Sequence, residues 1–227
     1  MSTDWLPLQR HYERCLARAG ATPGGVDWPN GPDLEERFNV QLQVLRAVPA
    51  AAALPTLLDL GCGPGLLLDY LATTGGAAAV DYQGIDISPA MIELGRQRWP
   101  GKRFEARDIV ADPLPPDSVD VVIMNGVLTE RQSIPRERMV MMAEALLRAA
   151  FRAARFGITF NVMSRHVDWE RDELFHWSFD EVAAFLKRDL TRHFAFRADY
   201  GLYEFTVFAW RHPQRLLQSA GGEWWKR

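Results

Sequence analysis

The sequence has few cysteines, no long apolar run and no strong excess of charge of one sign. Its 227 residues include only two cysteines, Cys15 and Cys62, which lie far apart and lack the spacing of metal ligands. This scarcity argues against a disulfide scaffold and is typical of a reducing compartment. No apolar run reaches the roughly 18 residues of a membrane-spanning helix, and the polar N-terminus with Asp4 does not resemble a secretion signal. We therefore expect a cytoplasmic protein without a membrane partner or a metal site.

The charge balance gives no reason to expect a polyanionic partner. The chain has 26 Lys and Arg against 29 Asp and Glu, a net charge of −3. This value provides no overall attraction to nucleic acid. The hydrophobic share of 48% and the charged share of 24% are ordinary for a globular protein. The length fits one large domain with a small appendage.

The first fifty residues predict a helical cap of two amphipathic helices. Apolar side chains recur at helical spacing in two series, Trp5, Leu8, Tyr12, Leu16 and Ala19, then Leu34, Phe38, Leu42 and Leu45. The stretch "ATPGGVDWPNGP" between the two series is rich in Gly and Pro and predicts a loop. We therefore assign residues 1–50 to the cap.

From Leu57 onward, short strands alternate with helices, which is the pattern of a sheet covered on both faces. The predicted strands are "TLLDL", "YQGIDI", "KRFEARDI", "SVDVVIMN", "FGITFNVMS", "RHFAFRADY" and "YEFTVFAWR". The last two are joined by a turn so short that they must be antiparallel. The prediction is an α/β, doubly wound, seven-stranded sheet with an antiparallel last strand over residues 51–211, followed by a tail at 212–227.

A glycine-rich loop between the first strand and its helix predicts a cofactor site. In "LLDLGCGPGLLLDYLA", Gly61, Gly63 and Gly65 alternate directly after an apolar strand that contains Asp59. Glycine permits close approach of the backbone to a ligand, and the helix start offers unpaired N–H groups. The loop is one residue shorter than the dinucleotide fingerprint G-x-G-x-x-G.

Two acids stand at the ends of the next two predicted strands. Asp86 in "GIDIS" lies 21 residues after Gly65, where a carboxylate can accept both hydroxyls of a ribose. Asp108 in "ARDI" lies where a carboxylate can accept an adenine amino group. Either acid alone is equally consistent with a turn or a helix cap, but together with the glycine loop they favour a nucleoside ligand.

Four successive motifs, "LLDLGCGPG", "YQGIDISPAMIELGRQRWP", "ARDI" and "VDVVIMNGVL", resemble those of class I methyltransferases that depend on S-adenosylmethionine. The resemblance is specific over about residues 55–130 and follows the strand order to about 211. It implies that S-adenosylmethionine is the cofactor and S-adenosylhomocysteine the product. We expect a small molecule as the methyl acceptor, because the fourth strand lacks the signature of nucleobase methyltransferases and the net charge is negative. By position, it assigns cofactor binding to Asp59, Gly61, Cys62, Gly63, Gly65, Asp86, Ile87, Met91, Asp108, Ile109, Asn125, Gly126 and Val127.

Residues outside these motifs are candidates for the remaining walls of the site. We expect Tyr12, Trp28 and Arg37 of the cap to face the cofactor, with Arg37 pairing with its carboxylate, although core packing explains Tyr12 and Trp28 equally well. The segment after the fifth strand predicts a lid over the acceptor through Asn161, Arg165, His166, Asp168, Trp169 and His176. Glu130 and His166 are candidate general bases, and each is also consistent with an ordinary surface residue.

Two other classes of function share parts of this pattern, and two other kinds of methyltransferase lack their expected signatures. A nicotinamide oxidoreductase shares the architecture, but the glycine spacing disfavours it. A catalytically silent protein that binds the cofactor as a partner or sensor would have the same motifs. The fourth strand ends in "NGVL" and lacks the Asp/Asn-Pro-Pro-aromatic signature typical of enzymes that methylate nucleobase amines. A metal-assisted catechol-type enzyme would need an acid cluster near the fourth and fifth strands, and we find none in the sequence.

Overall fold

The structure is a computed structural model that describes residues 5–49 and 54–214. The predicted cap boundary at residues 50–51 and all but the first three residues of the predicted tail lie outside these ranges. The described elements are α1 (Leu6–Ala19), α2 (Gly31–Gln41), β1 (Thr56–Leu60), α3 (Leu66–Thr73), β2 (Asp81–Asp86), α4 (Pro89–Arg98), β3 (Arg103–Ala106), β4 (Val119–Leu128), α5 (Arg136–Ala153), β5 (Ala154–Ser164), β6 (His176–Trp177), α6 (Phe179–Phe185), β7 (Phe194–Arg197) and β8 (Glu204–Trp210).

The sheet has the order β3-β2-β1-β4-β5-β8-β7. β8 is antiparallel to both of its neighbours, β5 and β7, while the pairs on the other side of β5 are parallel. The predicted doubly wound sheet and its antiparallel last strand are therefore confirmed. The eighth strand, β6, lies in a segment that the sequence assigned to a loop. It has only two residues and pairs with the end of β5 at Met163 and Ser164.

The central strands are apolar on both faces because helices cover both faces. In β1, Leu57 and Leu58 are both fully buried and belong to different hydrophobic clusters. Leu8 of α1 packs in one cluster together with α5 and α6, whereas Leu34 of α2 packs in the other with α3. The N-terminal helices thus share the cores of the sheet. No helix among the described residues is long and apolar enough to cross a bilayer.

Capping side chains fix the predicted starts of α4 and α6. Ser88 caps α4 by accepting a hydrogen bond from the Met91 N–H at 3.3 Å. Ser178 and Glu181 form the predicted capping box at the start of α6. The second helix of the cap is shorter than predicted, because α2 ends at Gln41 and the chain continues as a 3₁₀ turn over Leu42–Ala47.

Candidate functional site

The loop after β1 contains three glycines in the left-handed region of backbone conformation. The φ angles of Gly61, Gly63 and Gly65 are +78°, +52° and +87°. A Cβ on Gly61 would lie 2.2 Å from Val127 Cγ2, and a Cβ on Gly63 would lie 3.2 Å from Val26 Cγ1. The main chain of this loop therefore lies very close to Val127 in β4 and to Val26 in the N-terminal segment. Little room is left for a side chain at Gly61 or Gly63.

Gly65 has different surroundings from the other two glycines. It is the N-cap of α3, and a Cβ there would lie 3.0 Å from Phe104 Cζ and 3.4 Å from Trp99 Cδ1. These neighbours belong to β3 and to the end of α4. Gly65 thus allows α3 to begin against them, and its predicted contact with a ligand stays a prediction.

Asp86 ends β2, and its carboxylate is bonded to the glycine loop. Oδ2 accepts a hydrogen bond from the Gly63 N–H at 2.9 Å, and Oδ1 accepts one from the Ser88 N–H at 2.8 Å. Burial raises the pKa of this carboxyl, and the backbone N–H groups that bind it act in the opposite direction. A carboxylate oxygen has two lone pairs, so each oxygen can accept a further hydrogen bond from a ligand.

Asp59 is a buried acid near the carboxyl end of β1. The Tyr82 hydroxyl donates a hydrogen bond to its Oδ2 at 2.7 Å. Burial raises the pKa of Asp59 to about 7; the bond from Tyr82 lowers it, and the nearby charge of Asp86 raises it further. A cation placed beside Asp59 would favour its ionised form and lower this pKa.

The start of α4 and the turn after β3 provide an apolar wall. Met91 and Ile109 are 2% and 1% exposed, and both line the same cavity as the half-buried Ile87. Asp108 also lines this cavity. Its Oδ1 accepts hydrogen bonds from the N–H groups of Val110 at 3.0 Å and Ala111 at 3.3 Å. Asp108 therefore shapes the turn that follows it while facing the cavity.

One cavity brings these residues together at the carboxyl ends of β1 and β2 and along β4. It encloses about 1050 Å³ of space without protein atoms, including solvent at its mouth. Of the sixteen residues predicted to hold a cofactor, all except Gly65 and Arg37 line it: Tyr12, Trp28, Asp59, Gly61, Cys62, Gly63, Asp86, Ile87, Met91, Asp108, Ile109, Asn125, Gly126 and Val127. Doubly wound folds bind their ligands at this edge of the sheet.

The N-terminal segment covers the cavity from the other side. The Tyr12 hydroxyl donates a hydrogen bond to the Gly126 carbonyl oxygen at 3.2 Å. A Cβ on Gly126, whose φ is +80°, would lie 3.0 Å from Trp28 Cζ2. Trp5 and Leu8 line the cavity as well, although they were predicted only as members of the α1 stripe. Their helical spacing with Tyr12 was the available signal.

Arg37 has a partner within the protein. Its Nε donates to Glu204 Oε2 at 2.9 Å, and its guanidinium lies 3.8 Å from the ring centre of Trp28. Both charged side chains are buried, and Nη1 of Arg37 has no hydrogen-bond partner. Burial raises the pKa of Glu204, whereas the charge of Arg37 lowers it. The predicted pairing of Arg37 with a cofactor carboxylate stays a prediction, because Arg37 does not line the cavity.

Asn161 connects the cavity to this buried ion pair. Its Oδ1 accepts a hydrogen bond from the Gly126 N–H at 2.8 Å, and its Nδ2 donates to Glu204 Oε1 at 2.9 Å. The amide is fully buried and lines neither described cavity. The structure therefore places Asn161 behind Gly126 and apart from the other predicted acceptor residues.

Those other predicted acceptor residues lie at the surface, around a second cavity. His166 and Asp168 line it together with Phe179 and Glu204, and the ring of His166 stacks on Phe179 at 5.0 Å. Arg165 and Trp169 complete the group. Arg165 is exposed, and its Nε lies 3.0 Å from Glu170 Oε1. The half-exposed Trp169 contacts Tyr203, with 5.5 Å between the ring centres. His166 was predicted from its segment, whereas Tyr203 was missed because it comes from the β7–β8 connection.

Glu130 and His176 differ in the chemistry they offer. Glu130 is half-buried just after β4, and burial raises its pKa to about 7, against the effect of a 2.6 Å hydrogen bond from Gln132 Nε2. His176 is buried, with Nδ1 at 2.7 Å from the Ser164 carbonyl oxygen and Nε2 accepting from the Arg171 N–H at 3.2 Å. Both nitrogens of His176 are thus used within the protein, which makes it a structural residue.

The sheet order, the antiparallel β8, the glycine loop and the acid that ends β2 define an α/β protein with a nucleoside-type site. Comparison with known proteins narrows this class. Residues 57–150 match the family model described as "Methyltransferase domain". The chain is 34% identical over 151 residues to "Putative methyltransferase Rv1506c" of Mycobacterium tuberculosis, a match that covers 66% of this chain and 89% of that protein.

One further relative matches part of the chain, and one solved structure has the same fold. A trans-aconitate 2-methyltransferase of Methylobacterium nodulans is 38% identical over 107 residues, 45% of this chain and 40% of that enzyme. The chain thus matches less than half of that enzyme's length. A solved SAM-dependent methyltransferase of Leishmania major has the same fold, with a TM-score of 0.63, 15% identity and coverage of 91% of this chain and 83% of that one. The chain belongs to the methyltransferase-domain family and is a class I S-adenosylmethionine-dependent methyltransferase.

Proposed function

We propose that the protein transfers a methyl group from S-adenosylmethionine to a small-molecule acceptor and that the large cavity is the cofactor site. The observation that carries this proposal is the convergence of fourteen predicted cofactor residues on one cavity. The similarity to trans-aconitate 2-methyltransferases supports a small acceptor. The absence of a basic excess gives no support for a nucleic-acid substrate. A cytoplasmic location, which the sequence predicted, is part of the proposal and suits the two free thiols.

The residues of the cavity fit the two ends of such a cofactor. Asp86 has lone pairs for the two ribose hydroxyls, and the main chain of Gly61 and Gly63 lines the cavity beside it without side chains of its own. Ile87 and Met91 offer an apolar wall for the adenine, and Asp59 offers a negative charge to the amino-acid end. When bound, S-adenosylmethionine would supply a methyl carbon that its sulfonium makes electrophilic. The acceptor would bond to this carbon in line while the sulfur leaves as the neutral thioether of S-adenosylhomocysteine.

The acceptor site, in this proposal, involves the second cavity and the segment after β4. Glu204 lines the second cavity, Gly126 lines the first, and Asn161 is bonded to both. This buried network connects Gly126 at the first cavity to Glu204 at the second cavity. Orientation of the acceptor and the methyl group in near-attack geometry contributes on the order of 7–11 kcal/mol in favourable cases. A Gly126 segment held in place by Asn161 would help to keep the two groups oriented.

The proposal is tested with purified protein and isotope-labelled S-adenosylmethionine. We expect one mole of cofactor to bind per mole of chain by calorimetry, and label to appear in at least one member of a panel of carboxylic acids, phenols and amines. Binding without transfer to any acceptor would support the catalytically silent alternative. Absence of binding would contradict the whole proposal.

Cofactor binding is expected to release a proton near pH 6. Because the pKa of Asp59 is about 7, this acid is mostly protonated at pH 6. The ammonium group at the amino-acid end of the cofactor lowers that pKa, so Asp59 loses its proton and affinity rises from pH 5 to pH 7. Calorimetry in buffers of different ionisation enthalpy measures the release. Asp59→Asn should reduce the number of protons released on binding by up to one. Identical binding heats in all buffers for the unmodified protein would contradict this assignment.

Glu130 is proposed as the general base for an acceptor that carries a proton. Burial and, second to it, the charge of Glu130 raise the pKa of the cavity residue Tyr12, so the two groups lie near each other although Glu130 lines neither described cavity. A base with a pKa of about 7 loses activity as the pH falls below 7, by about tenfold per unit. We expect Glu130→Gln to lower kcat on the order of a hundredfold and to remove this limb of the pH profile.

The matched control for Glu130 is Glu173→Gln. The main chain of Glu173 lies beside the same segment, since its carbonyl oxygen accepts hydrogen bonds from Arg131 and Gln132. Hydrogen bonds hold the pKa of Glu173 below its usual value, so it cannot produce an inflection near 7. This variant should keep the wild-type pH profile. A Glu130→Gln enzyme with an unchanged profile would assign the base to another residue.

A further inference from the structure

A cluster of metal-ligand side chains lies outside the cofactor cavity, between α1 and the turn that follows it. His11 and Cys15 are four positions apart in the sequence, so they project from the same side of α1. Asp27, from the turn, places Oδ2 at 2.7 Å from His11 Nε2, and Cys15 Sγ lies 3.9 Å from the same nitrogen. The three donor atoms all lie within 4.8 Å of one another.

We propose that His11, Cys15 and Asp27 form a binding site for a divalent ion of the zinc type. Sulfur, imidazole nitrogen and carboxylate oxygen are all zinc ligands, with bond lengths of about 2.3, 2.0 and 2.1 Å. A thiolate and a carboxylate carry two negative charges, which balance the charge of the ion. A hard ion such as Mg²⁺ does not favour a thiolate ligand. The fourth position of a tetrahedral site remains for water or another ligand.

The surroundings of the three residues permit this binding. Tetrahedral bonds of these lengths separate the donor atoms by about 3.3–3.6 Å, so small side-chain movements suffice. Side-chain exposures of 16% for His11 and 35% for Asp27 leave a path from solvent. Two cations act on Cys15: Arg18, whose Nη2 lies 3.7 Å from Cys15 Sγ, and the exposed Arg14. Arg18 is exposed and can turn into solvent or donate to the metal-bound thiolate.

The position of the cluster gives the ion a role in closing the cofactor cavity. Tyr12, next to His11, lines the cavity, and so do Val26 and Trp28 on either side of Asp27. An ion held by these three ligands would tie α1 to the turn at the point where both cover the cavity. The inference concerns ion binding alone and does not depend on methyl transfer. This site was not predicted, because the two cysteines lack metal-ligand spacing and Asp27 lies twelve positions after Cys15, in a different segment.

Titration of the full-length metal-free protein with Co²⁺, followed by displacement with Zn²⁺, tests the site. We expect one Co²⁺ per chain, with the visible bands of tetrahedral cobalt and a thiolate-to-cobalt absorption in the near ultraviolet. Zn²⁺ should raise the Tm of the protein. Cys15→Ser should remove the thiolate absorption, and Asp27→Asn, at a partly exposed position, should weaken Zn²⁺ affinity by about tenfold or more.

Two controls separate this site from other ligands. Cys62→Ser leaves the same number of thiols as Cys15→Ser and should retain the thiolate-to-cobalt absorption. His193→Gln removes a histidine elsewhere in the fold and should leave Zn²⁺ affinity unchanged. Absence of thiolate absorption in the unmodified protein, or an affinity for Zn²⁺ that is the same in Asp27→Asn, would overturn the proposal. Because these readouts require no methyl acceptor, their failure is distinct from a failure of the proposed function.

Discussion

Asp86→Ala is expected to weaken the binding of S-adenosylmethionine and S-adenosylhomocysteine on the order of a thousandfold. The substitution removes the acceptor proposed for two ribose hydroxyls, and hydrogen bonds to charged groups contribute about 1.5–3 kcal/mol each. Two such bonds correspond to about 3–6 kcal/mol, or roughly a hundredfold to ten-thousandfold in Kd. The variant also frees the N–H groups of Gly63 and Ser88, which both donate to this carboxylate. Calorimetric titration with either ligand measures the loss.

Asp81→Ala is the matched control for Asp86→Ala. Asp81 begins the same strand, β2, but it is far more exposed and forms an ion pair with the exposed Arg103. Surface pairs of this kind contribute about 0–1 kcal/mol, so this variant should keep its cofactor affinity and nearly all of its stability. An Asp86→Ala protein that binds the cofactor as tightly as the Asp81→Ala protein would refute the ribose assignment.

Gly63→Val is expected to abolish detectable cofactor binding while the protein remains folded. A Cβ at this position would lie 3.2 Å from Val26 Cγ1 and 3.9 Å from Met91 Sδ, both of which line the cavity. The branched side chain would occupy the space where the ligand is proposed to approach the main chain. The positive φ of +52° adds strain, which costs about 1–2 kcal/mol for a residue other than glycine.

Gly75→Val separates the effect of strain from the effect of the lost space. Gly75 also has a positive φ, +77°, but a Cβ there would meet no atom within 4 Å and the residue is remote from the cavity lining. We expect this variant to lose stability in thermal unfolding and to keep its affinity for the cofactor. Equal losses of affinity in both variants would show that strain, rather than occupation of the site, disrupts binding.

Most of the sheet was predictable because its strands carry their own signals. The leucine-rich "TLLDL" predicts a central strand, and the short connection after Arg197 forces β7 and β8 to be antiparallel. Ser88 and the Ser178–Glu181 box predict the helix starts that the structure has. The two-residue β6 was not predictable, since it consists only of main-chain pairing with the distant end of β5 at Met163 and Ser164.

The cofactor cavity was predictable to a greater extent than the rest of the site. Its residues follow consecutive strands, so strand order alone brings Asp59, Asp86 and Asp108 to one edge of the sheet. Pairings between distant segments had no such signal. Arg37 and Glu204 are 167 positions apart, and no pattern in either segment indicates that they meet in the interior. For the same reason the prediction grouped Asn161 with the surface residues that follow it.

The two cavities are encoded in different parts of the chain, which has a consequence for how acceptor preference can diversify. Residues from 57 to 150 match the family model and include most of the residues that line the proposed donor cavity. The second cavity, the proposed acceptor site, is lined by residues between 164 and 168 and between 198 and 204, together with Phe179. Exchange of these two short stretches between relatives would alter selectivity with the donor machinery left intact. Asn161 is bonded to Gly126 and to Glu204, so an exchanged segment would have to preserve these two hydrogen bonds.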